Sequence, residues 1–435
     1  MWPIRQERCS KLDRRGQQHP PPRRRGRPAI PLVRRHGCPC AVGGEQRVIA
    51  PFCWQPASAG LELDRREEGT DVDGDGWEIR LDREDFGSDV LGGPMIETLR
   101  AAYDLGLLLT WHRARSDSNA AAFFIIITTE GEYVLRVSNS RKTEAGLRFE
   151  VALLQYLSGA GYPAPRVVAT RWGEPYHYAE NFLLVAERIP GLPYDPANPL
   201  HLQEAGRVLA QYHQVVREFP QRLRAASRPV LPTLEAHGPA ALATLAGIAN
   251  RQVSAADRRR LSRASSYLWS QFIRVPEALA GFLPTLSQLV IHGSYGPPAL
   301  VFDGHRLAGV VDHDRATYDI RALDLASALE AFARADHSQV GLDFELCAIL
   351  MAAYREVERL PEHELAALPL VFRAQRLIKV LTATEDCLQK QGTTRQDEND
   401  VVTVVDVAET EANRLRWLEE QEHPLLQALG SSLVG

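Results

Sequence analysis

The strongest constraint on the fold is a run of short apolar segments and polar loops between residues 288 and 314. Gln288–Ile291, Leu300–Phe302 and Leu307–Val311 are apolar runs of strand length, with Gly- and Pro-containing sequence between them. These runs predict three short strands that present two loops, His292–Ala299 and Asp312–Asp314. The second loop carries two carboxylates.

The rest of the chain from residue 95 onward predicts strands first and helices afterwards. Before Pro190 the pattern predicts two helices and three strands: Met95–Tyr103 and Arg148–Leu157 as helices, and Ala122–Thr128, Tyr133–Val137 and Asn181–Ala186 as strands. After Pro190 it predicts helices at Leu202–His213, Pro239–Asn250, Ala255–Phe272, Leu323–Ala333, Gly341–Val357 and Asp406–Glu422. The predicted fold class is therefore α+β, with a β-rich part followed by a mostly helical part.

The two loops resemble the catalytic and metal-binding loops of the aminoglycoside phosphotransferase family. The family's loops read His-Gly-Asp-x-x-x-x-Asn and then Ile-Asp-x-x-Asp or Ile-Asp-x-Asp, and the framing residues match here. Tyr103-Asp104-Leu105-Gly106, with Ser118-Asn119, is similar to the type II homoserine kinase and choline kinase-like branch. The resemblance implies a bilobal protein-kinase-like fold, with a small lobe at 95–189, a helical large lobe at 190–425 and a tail at 426–435.

The resemblance also implies that the cofactor is ATP. Arg136 matches the basic residue that neutralises the α/β-phosphates, and Glu150 matches the helix glutamate that holds this basic residue. Ser118 and Asn119 fall in the loop that covers the phosphates. The hinge whose backbone holds adenine is matched by Glu187–Ile189, in which Glu187 and Ile189 are the expected contacts. A surface ion pair is the alternative interpretation of Arg136 and Glu150.

The second cofactor that the resemblance implies is Mg²⁺. Asp312 matches the metal ligand, and Asp314 is implied as an auxiliary ligand or as a hydrogen-bond acceptor in the substrate pocket. Loop capping is the alternative role for both residues. His313 is expected to pack beside the loop.

Two substitutions separate this chain from the family's catalytic loop. Ser294 stands where the family has its catalytic Asp, and Ala299 stands where the family has an Asn metal ligand. A serine hydroxyl is neutral at pH 7, so it can orient a substrate but cannot act as an anionic base. Loss of a positioned base costs about 10²–10⁴ in rate. Support of the turn is the alternative role for Ser294. His292 is retained and expected to be structural, with action as a substitute base as the alternative.

These residues leave two functions open. The substitutions favour a catalytically impaired pseudokinase that retains a nucleotide, a small-molecule metabolite or a protein partner as ligand. The alternative is an active ATP-dependent kinase that phosphorylates a hydroxyl of an amino acid, an amino alcohol or an aminoglycoside.

The first 94 residues are predicted to be a disordered extension or a misassigned start, with Met95 as the first residue of the functional protein. The first 50 residues hold 12 Lys and Arg against 3 Asp and Glu, so nucleic-acid binding is the third and least favoured function. Asp71–Gly76 has features of a calcium loop, and His36, Cys38, Cys40 and Cys53 have features of a zinc site. The calcium-like segment has Asp82 rather than Glu at the twelfth position and no predicted helix before it, and the zinc-like residues lack the usual paired spacing, so neither is the favoured interpretation.

The predicted location is the cytoplasm. The sequence has no apolar run of the roughly 18–20 residues that a membrane span needs, and no signal-peptide pattern at its start. Cys347 and Cys387 fall in helix-like sequence and are expected to be buried free thiols rather than a disulfide.

Overall fold

The computed structural model describes residues 91–114, 121–138, 142–220, 229–249, 254–335, 340–389 and 397–431. All of them lie within one compact unit, Asp75–Gly435. Ser118 and Asn119 lie outside the described residues, as do the calcium-like and zinc-like segments of the first 90 residues.

The first part of the described chain is built on a five-stranded antiparallel sheet. Its elements are α1 (Gly93–Ala102), β1 (Leu108–Ala114), β2 (Ala121–Thr128), β3 (Glu132–Ser138), α2 (Glu144–Gly159), β4 (His177–Ala179) and β5 (Asn181–Glu187). The strand order is β1-β2-β3-β5-β4. Burial alternates along β2, so one face of the sheet is buried against α1 through Leu99, Tyr103 and Ile126.

The second part is mostly helical and contains two small antiparallel sheets. Its elements are β6 (Leu192–Pro193), α3 (Pro199–Arg217), α4 (Val230–Ala249), α5 (Ala255–Phe282), β7 (Gln288–Ile291), β8 (Leu300–Asp303), β9 (Arg306–Val310), β10 (Thr317–Ile320), α6 (Arg321–Phe332), α7 (Phe344–Val357), α8 (Glu362–Gln389), α9 (Asp397–Glu420) and α10 (Glu422–Ala428). The sheets have the orders β6-β8-β9 and β10-β7. They carry the two loops that the sequence singled out.

Helix α2 connects the two parts. It begins where the Thr143 side chain accepts a hydrogen bond from Gly146 N, which satisfies one of the free N–H groups of the first turn. Leu147, Leu153 and Leu157 lie on its buried face and belong to the same core as the helical part. The same helix also carries Glu150, so its packing places that glutamate beside the sheet.

The predicted fold class, with strands first and helices afterwards, is confirmed. The structure adds β1, β4, β6, β10 and α8, which were not predicted. It also starts α9 at Asp397 rather than at Asp406. Residues 426–428 belong to α10, in which Leu425 is buried, so the start of the predicted tail is helical. None of the described helices is both long enough and apolar enough to cross a membrane.

Candidate nucleotide and metal site

A buried ion pair joins the sheet to helix α2. Arg136 on β3 is 5% exposed and Glu150 on α2 is 2% exposed, so this is not a surface pair. The guanidinium donates to both carboxylate oxygens, with Nη2 lying 2.8 Å from Oε2 and Nη1 bonded to Oε1. Burial acts to raise the pKa of Glu150, but the charges of Arg136 and Lys142 outweigh it and hold the pKa below its usual range. The pair is therefore ionised and fixed in a bidentate geometry.

Lys142 is a third member of this group and was not predicted. Its Nζ donates to Glu150 Oε2 at 2.8 Å and to the backbone oxygen of Asp314 at 3.3 Å. The lysine precedes α2 and reaches both the helix and the metal loop. The contact between Lys142 and Asp314 joins residues that are far apart in the sequence, so no local motif indicates it.

A buried carboxylate on α6 fixes the loop His292–Ala299. Asp324 accepts hydrogen bonds from His292 N at 2.6 Å and from Gly293 N at 2.8 Å, and His213 Nε2 lies 3.2 Å from it. Gly293 has a φ of +79°, and a Cβ at this position would lie 2.4 Å from Arg315 O. The start of the loop therefore requires both the glycine and the carboxylate.

His292 is buried, and both of its ring nitrogens face backbone groups. Nε2 lies 3.1 Å from Val311 O, which can only accept, so Nε2 carries the proton. Nδ1 then accepts from Ser294 N at 3.3 Å. Burial lowers the pKa of His292, which keeps the ring neutral. This arrangement favours the structural role over that of a substitute base.

Ser294 and Ala299 both connect the loop His292–Ala299 to the segment that carries Asp312. Ser294 Oγ donates to Asp312 O at 3.0 Å, and its other near neighbour is His292 Nδ1 at 3.4 Å. Ala299 is buried, and its backbone oxygen accepts from Val311 N at 2.8 Å. Its methyl group supplies no oxygen ligand. The contacts of Ser294 are of the kind that support a turn.

Asp312 and Asp314 place two carboxylates side by side. The Oδ1 atoms of both are buried and have no hydrogen-bond partner within the described chain. Burial, together with the neighbouring charge of Asp314, raises the pKa of Asp312 to about 7. Two unsatisfied carboxylate oxygens fit a hard cation such as Mg²⁺. Within the described residues, no group of three or more His, Cys, Asp or Glu side chains is assembled for a metal.

His313 packs beside this loop, as expected. It is 3% exposed, and its ring centroid lies 4.6 Å from that of His292. The geometry gives it contacts with other rings rather than with the two carboxylates.

The predicted hinge follows β5. Glu187 has an exposed side chain, and its backbone N–H donates to Arg166 O at 2.8 Å. The backbone N–H of Ile189 makes no hydrogen bond to the described residues. The side chain of Ile189 covers Gly309 on β9, where a Cβ would lie 2.4 Å from Ile189 Cδ1. Of the two residues, Ile189 therefore has the N–H that remains open to a ligand.

The fold and the two loops together define the class of kinase-like phosphotransferases. The model of the phosphotransferase enzyme family matches residues 110–360, more than half of the chain. The protein belongs to this family, as the sequence predicted.

Relatives and solved structures agree with this assignment. The chain is 28% identical over 295 residues to a homoserine kinase of Parvibaculum lavamentivorans, which covers 67% of this chain and 85% of the relative. An aminoglycoside phosphotransferase from Alicyclobacillus acidocaldarius shares the fold with a TM-score of 0.54 at 17% identity, covering 78% of this chain and 99% of that one. The amicoumacin kinase hAmiN, in complex with AMP-PNP, Ca²⁺ and Ami, has a TM-score of 0.53 at 12% identity, covering 73% and 92%. At these identities the structural matches show the fold alone.

Proposed function

We propose that this protein is a nucleotide-binding pseudokinase, a member of the phosphotransferase enzyme family whose phosphoryl transfer is impaired. The observation that carries the proposal is the environment of Ser294. Its hydroxyl stands at the position of the family's catalytic Asp and donates to Asp312 O at 3.0 Å. A neutral group whose proton is held by a backbone oxygen is a poor acceptor for the proton of an attacking hydroxyl.

Nucleotide binding is supported by the groups that remain assembled. Arg136, held by Glu150, would neutralise phosphate charge, and the N–H of Ile189, which makes no hydrogen bond to the described residues, would donate to an adenine acceptor. Asp312 and Asp314 would hold Mg²⁺, which neutralises the phosphates when it is bound. The complex of hAmiN with AMP-PNP and Ca²⁺ is a structure of the same fold that contains a nucleotide analogue and a divalent ion.

The binding half of this proposal is tested by isothermal titration of the full chain with ATP, with and without MgCl₂. We expect magnesium-dependent binding to the wild type and its loss in Asp312→Asn and in Arg136→Met. Arg148→Met is the matched control, because Arg148 is likewise an arginine in an ion pair, but it lies on α2, is exposed and is bonded to Glu144. No binding at millimolar ATP to the folded wild type would overturn the proposal.

The catalytic half is tested by restoring the family's residues. The double variant Ser294→Asp with Ala299→Asn regains a carboxylate base and an oxygen ligand, and we expect its ATPase or kinase rate to exceed that of the wild type by about 10²-fold or more. A double variant that binds nucleotide and stays inert would show that these two positions do not cause the impairment.

The second candidate function is an active ATP-dependent kinase for a hydroxyl of an amino acid, an amino alcohol or an aminoglycoside. The homoserine kinase relatives and the intact Arg136–Glu150 pair favour it. ADP release by the wild type with Mg-ATP and a panel of these hydroxyl compounds distinguishes the two functions. Sustained turnover that depends on one compound would support the kinase and contradict the pseudokinase.

A cytoplasmic location and a protein partner stay predictions.

A further inference from the structure

We infer that Lys142 is a second phosphate-neutralising cation of the nucleotide site, acting beside Arg136. The inference rests on the proposed nucleotide binding and names a residue that determines selectivity for the number of phosphates. It arises from the convergence of one lysine on both the helix glutamate and the metal loop.

Two cations converge on one oxygen of Glu150. Arg136 Nη2 and Lys142 Nζ each lie 2.8 Å from Glu150 Oε2. One carboxylate therefore faces two positive charges. The other carboxylates that act on Arg136 are those of Asp314 and Asp312, so a divalent cation held by these two residues would leave the group with a positive charge that attracts a polyanion.

The second contact of Lys142 places this charge at the metal loop. Its Nζ also donates to Asp314 O at 3.3 Å, two residues after Asp312. An ammonium group has three protons, so one donor remains for a ligand after the contacts with Glu150 and Asp314. The ammonium therefore contacts both the glutamate that holds Arg136 and the loop that carries the two carboxylates, where phosphates and metal would meet.

A purely structural role explains these contacts less well. Arg136 already donates a hydrogen bond to each carboxylate oxygen of Glu150, so the further hydrogen bond from Lys142 is not required to satisfy this carboxylate. The side chain of Lys142 is 18% exposed while that of Arg136 is 6% exposed, so Lys142 is the more accessible of the two cations. A flexible lysine can move from the weak contact with Asp314 O to a phosphate oxygen.

The absence of an oxygen ligand at Ala299 supplies a physical reason for a second cation at this site. The family's Asn ligand is absent there, so a divalent ion has one oxygen ligand fewer. An ammonium group needs no set of ligands to supply positive charge. Lys142 would therefore compensate part of the charge that a weaker metal site cannot neutralise.

The test is isothermal titration of the full-chain Lys142→Met and wild type with ATP, ADP and AMP, with MgCl₂ and with EDTA. We expect Lys142→Met to bind Mg-ATP about tenfold more weakly or worse and to bind AMP nearly as well as the wild type, since charge-assisted hydrogen bonds to the outer phosphates are lost. Lys142→Arg should keep most of the ATP affinity. Arg148→Met, which removes an exposed charge on α2, should match the wild type.

The possible outcomes distinguish a failure of the proposed function from a failure of the inference about Lys142. A wild type that binds none of the nucleotides overturns the proposed function and this inference together. A wild type that binds ATP while Lys142→Met binds it equally well overturns the inference alone. Equal weakening for ATP and AMP would also overturn it, because it would show that Lys142 only holds α2 against the metal loop. If Lys142→Met does not fold, Lys142→Gln removes the charge and keeps a hydrogen-bond donor, and it is read in the same way.

Discussion

At the scale of single residues, Asp312 combines an unfavourable backbone conformation with an unfavourable charge. Its φ is +65°, in the left-handed region that few residues other than Gly, Asn and Asp adopt readily. Its carboxylate lies beside that of Asp314, and neither buried Oδ1 has a protein partner within the described chain. Such features cost stability and persist where a ligand needs them.

Asp312→Asn tests whether this residue lowers the stability of the protein in exchange for binding a metal ion. Asn tolerates the same backbone conformation and removes the like-charge repulsion, so we expect a gain of about 1 kcal/mol in the absence of metal, seen as a rise of a few degrees in Tm. The same variant should lose any rise in Tm that MgCl₂ gives the wild type. Asp303→Asn, at the exposed end of β8, is the control and should leave Tm unchanged. A lower Tm for Asp312→Asn without metal would contradict this account.

Asp324 differs from Asp312 because both of its carboxylate oxygens accept hydrogen bonds, and these bonds fix the loop His292–Ala299. It is fully buried and accepts from two backbone N–H groups, so an amide in its place turns one acceptor into a donor that faces another donor. We expect Asp324→Asn to lower the free energy of unfolding by about 2–4 kcal/mol in urea titrations. Asp343→Asn makes the same change at an exposed helix cap with two similar bonds and should cost about 1 kcal/mol or less. Equal costs for the two variants would show that burial is not the reason.

At the scale of elements, the start of α4 depends on a carboxylate from a neighbouring strand. Asp319 on β10 accepts from Val230 N at 2.7 Å and is 6% exposed. Burial raises its pKa to about 6, and the backbone hydrogen bonds of Ile320 and Val230 offset this only in part. Since the folded-state pKa lies above the unfolded value, the protonated form stabilises the fold at low pH, and this contribution is lost as the pH rises through about 6.

The prediction is a pH-dependent difference between the wild type and Asp319→Asn. Between about pH 5 and pH 6, the free energy of unfolding of the wild type should fall by about 1 kcal/mol relative to the variant, measured by urea unfolding in matched buffers. Asp303→Asn should show no such difference. If the free energy of unfolding of the wild type instead rises relative to that of Asp319→Asn over this pH range, the pKa of Asp319 is not raised in the folded state.

The difference between α2, which was predicted, and α8 and β1, which were not, lies in the local pattern of apolar residues. α2 was predicted because its apolar residues form one stripe. α8 packs against α4, α5, α6 and α9, so apolar residues surround it and no stripe marks it. β1 is an edge strand whose residues alternate poorly between buried and exposed, so the period of two is absent.

The residues of the candidate site also differ in whether a local sequence motif marks them. Arg136, Glu150 and Asp312 each stand in a short motif that the sequence displays. Lys142 was missed because its role depends on how α2 lies against the metal loop, which is a tertiary contact between residues 172 positions apart. Local pattern cannot report such a distance.

At the scale of the whole molecule, the sheet-bearing part and the helical part meet at the hinge. Ile189 follows the last strand of the five-stranded sheet, and Gly309 lies on β9 of the helical part. A Cβ on Gly309 would lie 2.4 Å from Ile189 Cδ1 and 2.8 Å from Cγ2, so these two side chains cannot both be large. The glycine therefore lets the hinge lie directly on the strand that leads to Asp312.

This contact predicts that Gly309→Ala affects nucleotide binding although Gly309 has no side chain to bind a ligand. The added methyl group displaces Ile189 and with it the open backbone N–H, so we expect about a tenfold loss of ATP affinity, equivalent to about 1.4 kcal/mol. Adding Ile189→Ala to the same chain removes the two clashing atoms and should recover most of that affinity, a coupling that titration of both single variants and the double variant measures. Gly247→Ala is the control, because a Cβ there meets nothing within 4 Å. If the double variant binds ATP no better than Gly309→Ala, then the hinge and β9 are not coupled through this contact, and the position of the adenine site must be set elsewhere.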